Sequence, residues 1–513
     1  MFHFWGFKSM FQRLRIRKIA TSCAFLVMLG TSIGVAGPEK NGPAGWLAYG
    51  DLRGSFEPCG CDPKTDLGGV HRLATFAARE RANNPDLVFL DVGNNISPPG
   101  AEGARTTLEL KDTFILEGII RMNPGAMLPG RFELLRSEWM EKTITNLKSA
   151  SRLGGLLPFV LSNRKQTKLS PWLDENVAAF RKVNGVVVFG YTWDRKLARH
   201  FLPVSDGALL KRLKILTRNE EIAGLPRVLL FSGPENHLKI FAKARMFDEI
   251  ISSNGAPDLA KPETPDLRDD SKAITRLRTA TGVVYQTPMG AQGVLRGGVA
   301  RQNLARSLQE LVNPGVVPDI STPRVVQAPS AATLLSAKPV TWLDRSYVDT
   351  EVWPAFFTAY ESAVKSAFES RSKKRLEGFK NTAFAGSSAC KGCHAGAYDA
   401  WAKSQHSNAF AILIEKGKSK DGECVSCHVL GAEEDGGFVS QEDSPEFMNV
   451  HCENCHGPRK AHAVNPSIKA PWGIDPKHPE KICVTCHHSP HSPDFNYRKY
   501  WEQIRHGHGS VAP

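Results

Sequence analysis

Cys390-Lys391-Gly392-Cys393-His394, Cys424-Val425-Ser426-Cys427-His428, Cys452-Glu453-Asn454-Cys455-His456 and Cys483-Val484-Thr485-Cys486-His487 are four copies of Cys-x-x-Cys-His within one short stretch. Two thiols a helical turn apart can bond covalently to the two vinyl groups on one edge of a porphyrin. The histidine that follows then lies beneath the iron. Zinc is the competing reading, because paired Cys-x-x-Cys motifs also build structural zinc sites. A zinc site has no need of a histidine directly after every second cysteine. The repeated pattern therefore predicts four covalently bound haem c groups, with His394, His428, His456 and His487 as proximal ligands.

The first cysteines of successive motifs are 34, 28 and 31 residues apart. So little chain per haem cannot build a large apolar core, so short helices and long loops packed around porphyrins are expected. Eight of the eleven cysteines belong to the motifs, leaving Cys23, Cys59 and Cys61. Twelve of the 16 histidines lie between His394 and His508. After the proximal four, eight remain as possible ligands to the far side of the irons.

At 513 residues the chain has room for two to four domains. The net charge of +13 is not a nucleic-acid signal. From Asn381 onward there are 13 Lys/Arg against 15 Asp/Glu, and no basic run is interleaved with aromatics. The basic excess sits upstream, where it suits anionic lipid or an acidic redox partner protein.

Residues 1–36 read as a secretory leader. Lys8, Arg13, Arg15, Arg17 and Lys18 precede an apolar run from Ile19 to Val35, with cleavage expected after Ala36. The run is short for a membrane span. Export to the periplasm is the expectation, and it agrees with the outer-side attachment of c-type haem.

From Gly45 to about Arg301, short apolar runs alternate with helical patterns. Strands are expected at Trp46–Leu52, Leu87–Val92, Leu157–Ser162, Val186–Tyr191, Arg227–Phe231, Phe247–Ile251 and Val283–Thr287. Helices are expected at Val70–Ala82, Leu108–Arg121, Phe132–Lys148 and Leu238–Arg245. That alternation predicts an α/β domain over residues 37–301.

Within it, Asp51-Leu52-Arg53-Gly54-Ser55-Phe56-Glu57-Pro58 resembles the first motif of the 5′-nucleotidase-like metallophosphoesterases. Leu90-Asp91-Val92-Gly93-Asn94, Leu128-Pro129-Gly130-Arg131-Phe132-Glu133, Leu161-Ser162-Asn163 and Phe247 to Gly255 resemble the later ones. The resemblance implies a four-layer α/β sandwich. In that family two metal ions activate water against a phosphate. Asp51 keeps a ligand type, but Arg53 replaces the first histidine and Asn94 the bridging aspartate. Arg131 and Phe132 replace Asn-His, and Ser252-Ser253-Asn254-Gly255 replaces Gly-His-x-His. The expectation is the fold without its two-metal centre, and no phosphatase activity. Cys59 and Cys61 read either as a redox or metal-binding thiol pair or as a surface loop. His71 and His237 read as solvated or structural.

Residues 302–351 read as a linker or a meandering edge segment, with Pro, Ser, Ala and Thr lacking period. Val352–Phe379 reads as a long helix whose stripe of Phe356, Phe357, Tyr360, Val364 and Phe368 packs against the haem module. Residues 381–513 form that module, a mainly α, loop-rich multihaem unit.

Tyr398-x-x-Trp401-x-x-Ser404-x-His406, Cys455-His456-Gly457-Pro458 with His462, and Trp501-x-x-Ile504-x-His506 resemble the tetrahaem cytochrome c-554 family. The resemblance implies that His406, His462 and His506 are distal ligands to neighbouring haems, and that one haem can lack a sixth protein ligand. His451, His488 or His491 could close that position, with His478 and His508 behind them. The reading is periplasmic electron transfer with the α/β domain as scaffold or docking surface. A small-molecule oxidoreductase at an open iron is the alternative, and a phosphoesterase with an attached redox module is a third.

Overall fold

The computed structural model describes residues 45–58, 66–99, 105–150, 157–165, 171–253, 283–286, 293–297, 340–348, 351–432, 434–469, 473–475, 477–487, 492 and 494–506. The expected leader, Cys23, Cys59, Cys61, His488, His491 and His508 lie outside them, as does most of the expected linker.

Two sheets form the N-terminal body. The first runs β12 (Val340–Trp342), β11 (Gly293–Gly297), β1 (Trp46–Tyr49), β2 (Val88–Asp91), β3 (Ala126–Met127), β4 (Phe159–Val160) and β5 (Val177–Ala178). Strands β1 to β5 are parallel, while β11 and β12 add an antiparallel edge. The second sheet runs β10 (Val283–Gln286), β9 (Glu249–Ser252), β8 (Arg227–Ser232), β7 (Val186–Thr192) and β6 (Phe180–Val183), antiparallel only at β6.

Side-chain alternation shows how the layers stack. In β7 and β8, Val186, Val188, Val228 and Leu230 face the first sheet and share its core. Val187, Phe189, Leu229 and Phe231 face the other way, onto Leu209 and Leu213 of α6 (Ala208–Leu216) and Leu238 and Phe241 of α7 (Glu235–Ala244). The far side of the first sheet carries α1 (Val70–Asn83) and α2 (Arg105–Arg121). The order helix, sheet, sheet, helix is a four-layer α/β sandwich. Gly190 sits where the sheets are closest, since a Cβ there would lie 2.1 Å from the Val160 carbonyl oxygen.

The expected strands and helices fall at their predicted places, with two differences. The predicted helix Phe132–Lys148 is two, Arg131–Leu135 and Ser137–Ser149, broken at Arg136 (φ −111°, ψ 37°). Arg136 leaves helical geometry there, and its guanidinium reaches the Asp112 carboxylate and the Ser97 carbonyl. Residues 340–342, the end of the stretch read as a linker or a meandering edge segment, form the edge strand β12. Leu343 behind it is fully buried in the main core.

The second difference concerns the long helix, Pro354–Phe379. Its aromatic stripe does not pack chiefly on the haem module. Phe356, Tyr360 and Val364 enter the core of the α/β body, and Phe56 stacks on Tyr360 with ring centroids 3.7 Å apart. Only from Phe368 onward does the helix serve the C-terminal module. There Ser372 donates to the Val439 carbonyl at 2.9 Å and Arg375 to those of Gly431 and Glu434, each at 2.7 Å. The helix is a strut shared by both halves. The module also has a protein core of its own, from Phe384, Phe410, Leu413, Val425, Leu430, Phe438 and Phe447 among others. That core gathers around the second Cys-x-x-Cys-His motif.

Candidate haem-binding site

Each motif is wound tightly enough to put its histidine one turn past its first cysteine. His394 N–H donates to the Cys390 carbonyl at 2.9 Å, and His487 N–H to that of Cys483 at 2.8 Å. Cys452–His456 is a helical turn, and Gly422–Ser426 is another, capped by Asp421 accepting from Glu423 N–H at 3.1 Å.

Three histidine pairs stand out. The ring centroids of His394 and His462 are 6.4 Å apart, those of His406 and His487 6.0 Å, and those of His456 and His506 5.9 Å. Two imidazoles on opposite sides of one metal, each with a bond of roughly 2 Å, have centroids about 6 Å apart. Touching rings would stack closer, so the spacing fits an iron between each pair. Each pair joins a motif histidine to one far away in sequence.

The tautomers fit as well. His462 Nδ1 lies 3.0 Å from the Ile468 carbonyl, His506 Nδ1 3.0 Å from that of Ile504, and His428 Nδ1 2.5 Å from that of Ala409. A carbonyl can only accept, so Nδ1 carries the proton and Nε2 keeps its lone pair for a metal. Burial holds the His406 pKa below the ordinary histidine value. At His456, burial does the same, aided by His506, Arg459 and His394. Both rings are thus held in the neutral form that binds iron. The residues present fit haem c.

His428 is different: among the described residues no histidine ring faces it. His451 does not fill that place. Its Nδ1 accepts from Ser387 N–H at 2.9 Å and its Nε2 lies 2.7 Å from the Met448 carbonyl, so both ring nitrogens are committed to backbone. This corrects its nomination as an axial ligand. His478 pairs with Glu480 at 3.1 Å on the surface.

The motif cysteines also meet one another. Cys390 and Cys452 are within thiol hydrogen-bond contact, as are Cys427 and Cys486, and Cys455 is close enough to Cys483 to feel its charge. The attachment points therefore adjoin in the order first, third, fourth, second. Glu453 anchors the array, its carboxylate accepting from the N–H groups of Ala385, Gly386 and Arg459.

In the α/β body the five motif segments converge at the carboxyl ends of the parallel strands, where such folds place their sites. Many of their polar groups pair with one another there. Arg53 pairs with Asp51 at 3.1 Å and Arg131 with Asp194 at 2.6 Å. Asn94 Nδ2 donates to Ser253 Oγ at 2.9 Å, and Glu133 accepts from the N–H groups of Asn94 and Asn95. Asp51, Arg53 and Asn94 all have positive φ (57°, 52° and 57°), so backbone strain is concentrated in these loops. Among the described residues, no three His, Cys, Asp or Glu side chains group so as to hold a metal ion. His237 is structural, its Nδ1 2.7 Å from the Tyr191 hydroxyl, and His71 stacks on Phe357.

Some participants gave no sequence signal. Lys111, Lys418 and Glu57 join the two halves beside the second motif, and only the capping position of Asp421 before Cys424 could have drawn attention there.

The chain is similar to known proteins of two kinds. Residues 389–457 match the family model described as cytochrome c554 and c-prime. Cytochrome c-554 of Nitrosomonas europaea is 31% identical over 90 residues, which is 15% of this chain and 38% of that protein. The chain thus spans well under half of the curated relative it matches. Among solved structures, NAD nucleotidase of Haemophilus influenzae aligns over 49% of this chain and 52% of its own, at 17% identity and a TM-score of 0.36. The 5′-nucleotidase precursor of Thermus thermophilus aligns over 49% and 50%, at 18% identity and a TM-score of 0.35. The chain joins an N-terminal four-layer α/β sandwich, similar to 5′-nucleotidase-like proteins, to a C-terminal module that is cytochrome c554-like and so implies covalently bound haem c.

Proposed function

We propose that this is an exported tetrahaem c-type cytochrome that transfers electrons in the periplasm, with the α/β body as scaffold and docking surface. The observation that carries the reading is the set of three histidine pairs at the spacing of two ligands on one metal. Bound haem c would supply a one-electron ferric/ferrous couple at each motif. The chain's own residues do the rest. Cys390, Cys393, Cys424, Cys427, Cys452, Cys455, Cys483 and Cys486 supply the thioether bonds. His394, His428, His456 and His487 are the proximal ligands. His462, His506 and His406 close the first, third and fourth positions. Two imidazoles per iron hold a potential low compared with a His/Met pair. The adjoining attachment points favour transfer along the module. Redox partner proteins would meet the haem edges, and the basic body suits an acidic partner or anionic lipid. Mass and pyridine-haemochrome measurements on purified protein should give four covalent haems per chain. Fewer than four would overturn the reading.

A second reading rests on His428, which faces no histidine among the described residues. An iron held there from one side could bind a small nitrogen or sulfur species, making the protein an oxidoreductase. A high-spin ferric signal that shifts on adding nitric oxide or hydroxylamine would support it, and an all low-spin spectrum would oppose it. Phosphoesterase activity is disfavoured by the Arg53–Asp51 and Arg131–Asp194 pairs, which place cations where metals would sit. Hydrolysis of a nucleotide by the full protein with added manganese would reverse that view.

A further inference from the structure

The α/β body reaches into the C-terminal module at one buried point, just ahead of the second motif. Lys111 of α2 places Nζ 3.2 Å from Asp421 Oδ2 and against the Glu423 carboxylate. The Lys111 and Asp421 side chains are only 8% and 7% exposed, so this is an interior ion cluster rather than a surface pair. Burial opposes the Lys111 ammonium, but Asp421 and Glu423 outweigh it and hold its pKa above the ordinary lysine value. Burial likewise opposes the Asp421 carboxylate, and Lys111 and Lys418 hold it below the ordinary range. Both groups are therefore ionised.

Asp421 is also the N-cap of Gly422–Ser426, the helical turn that carries Cys424. Lys418, three residues earlier, is paired with Glu57 of the body, and Arg371 of the long helix lies against Gly422. The charges thus surround the attachment helix rather than a remote surface. Lys111, Asp421 and Glu423 together carry one net negative charge. Fixed charge in a poorly screened interior acts strongly on a neighbouring redox couple.

We propose that Lys111 is a positioning residue for the second haem. By neutralising part of the Asp421–Glu423 charge, it makes the α/β body set the reduction potential of that one centre. The inference rests on the haem assignment at Cys424 and Cys427. It gives the body an electrostatic role beyond that of scaffold.

The test uses full-length holoprotein in a spectropotentiometric titration, with haem occupancy of each motif checked by peptide mass. Lys111→Met removes a buried positive charge beside two carboxylates and should move one reduction step to lower potential. Asp421→Asn removes a negative charge and should move the same step upward. Each shift should change the reduced-to-oxidised ratio at fixed potential by about tenfold or more, which is about 59 mV for one electron. Lys111→Arg keeps the charge and should stay near wild type, and the other steps should hold still.

Steps that do not move in either neutralised variant, or that all move together, would overturn the proposal. If Lys111→Met does not accumulate, the upward shift in Asp421→Asn against an unchanged Lys111→Arg decides the matter alone. Wild-type protein with unmodified Cys424 and Cys427 would overturn the haem assignment itself, and the mass measurement separates that failure from a failed charge argument.

Discussion

Replacing His462 with alanine should open one iron and leave the fold intact. His462 lies on the exposed turn Lys460–Val464, 6.4 Å from His394 between ring centroids, and holds only the Ile468 carbonyl through Nδ1. Its loss should cost folding no more than about 0.5 kcal/mol, as for most surface substitutions. The effect on the iron is countable. Three of the four motif histidines face a second histidine, so losing one such partner should add a quarter of the iron to the high-spin fraction of wild type. That increase is read by double integration of the ferric EPR spectrum against total haem. Added imidazole should return the lost quarter to low spin. His451→Ala is the control. Both of its ring nitrogens bond to backbone, so it should cost about 1–3 kcal/mol from unsatisfied groups and leave the spin ratio untouched. A high-spin fraction that stays at the wild-type level in His462→Ala, or that rises in His451→Ala, would refute the assignment of ligands.

Two further outcomes probe the body. Burial raises the Asp91 carboxyl to about 7, against the opposing hydrogen bonds from Asn95 and Gly93. Between the unfolded value near 3.8 and that folded value, the native state binds a proton that the unfolded chain does not. Stability should therefore fall as pH rises through that window, by at most about 4 kcal/mol. Asp91→Asn should flatten the slope and raise stability above pH 7 in urea titrations, whereas a variant weakened at high pH would mean a cation is bound there. Phe56→Ala should cost about 3–5 kcal/mol, because Phe56 is 2% exposed and seats the long helix through Tyr360, Phe356 and Phe357. A loss below about 1 kcal/mol would show that the aromatic seat does not hold the strut.

By itself the sequence determined the local chemistry of this protein. Cys-x-x-Cys-His is a one-turn device, so its thiols and histidine are placed by the backbone they share, and that local geometry was legible at every copy. The long strands β7 and β8 and the helices α1 and α2 were likewise legible, since they carry enough period to announce themselves. Two-residue strands such as β3 and β5 carry none, and their positions depend on neighbours. Tertiary structure decided what lies far apart along the chain. It chose which histidine faces which motif, and it disqualified His451, whose ring binds Ser387 and Met448. It turned the aromatic stripe of the long helix toward Phe56 and the body. It also brought Lys111 to Asp421 across 310 residues. No local pattern encodes such a pair, because what requires it is the cost of leaving either charge alone in the interior.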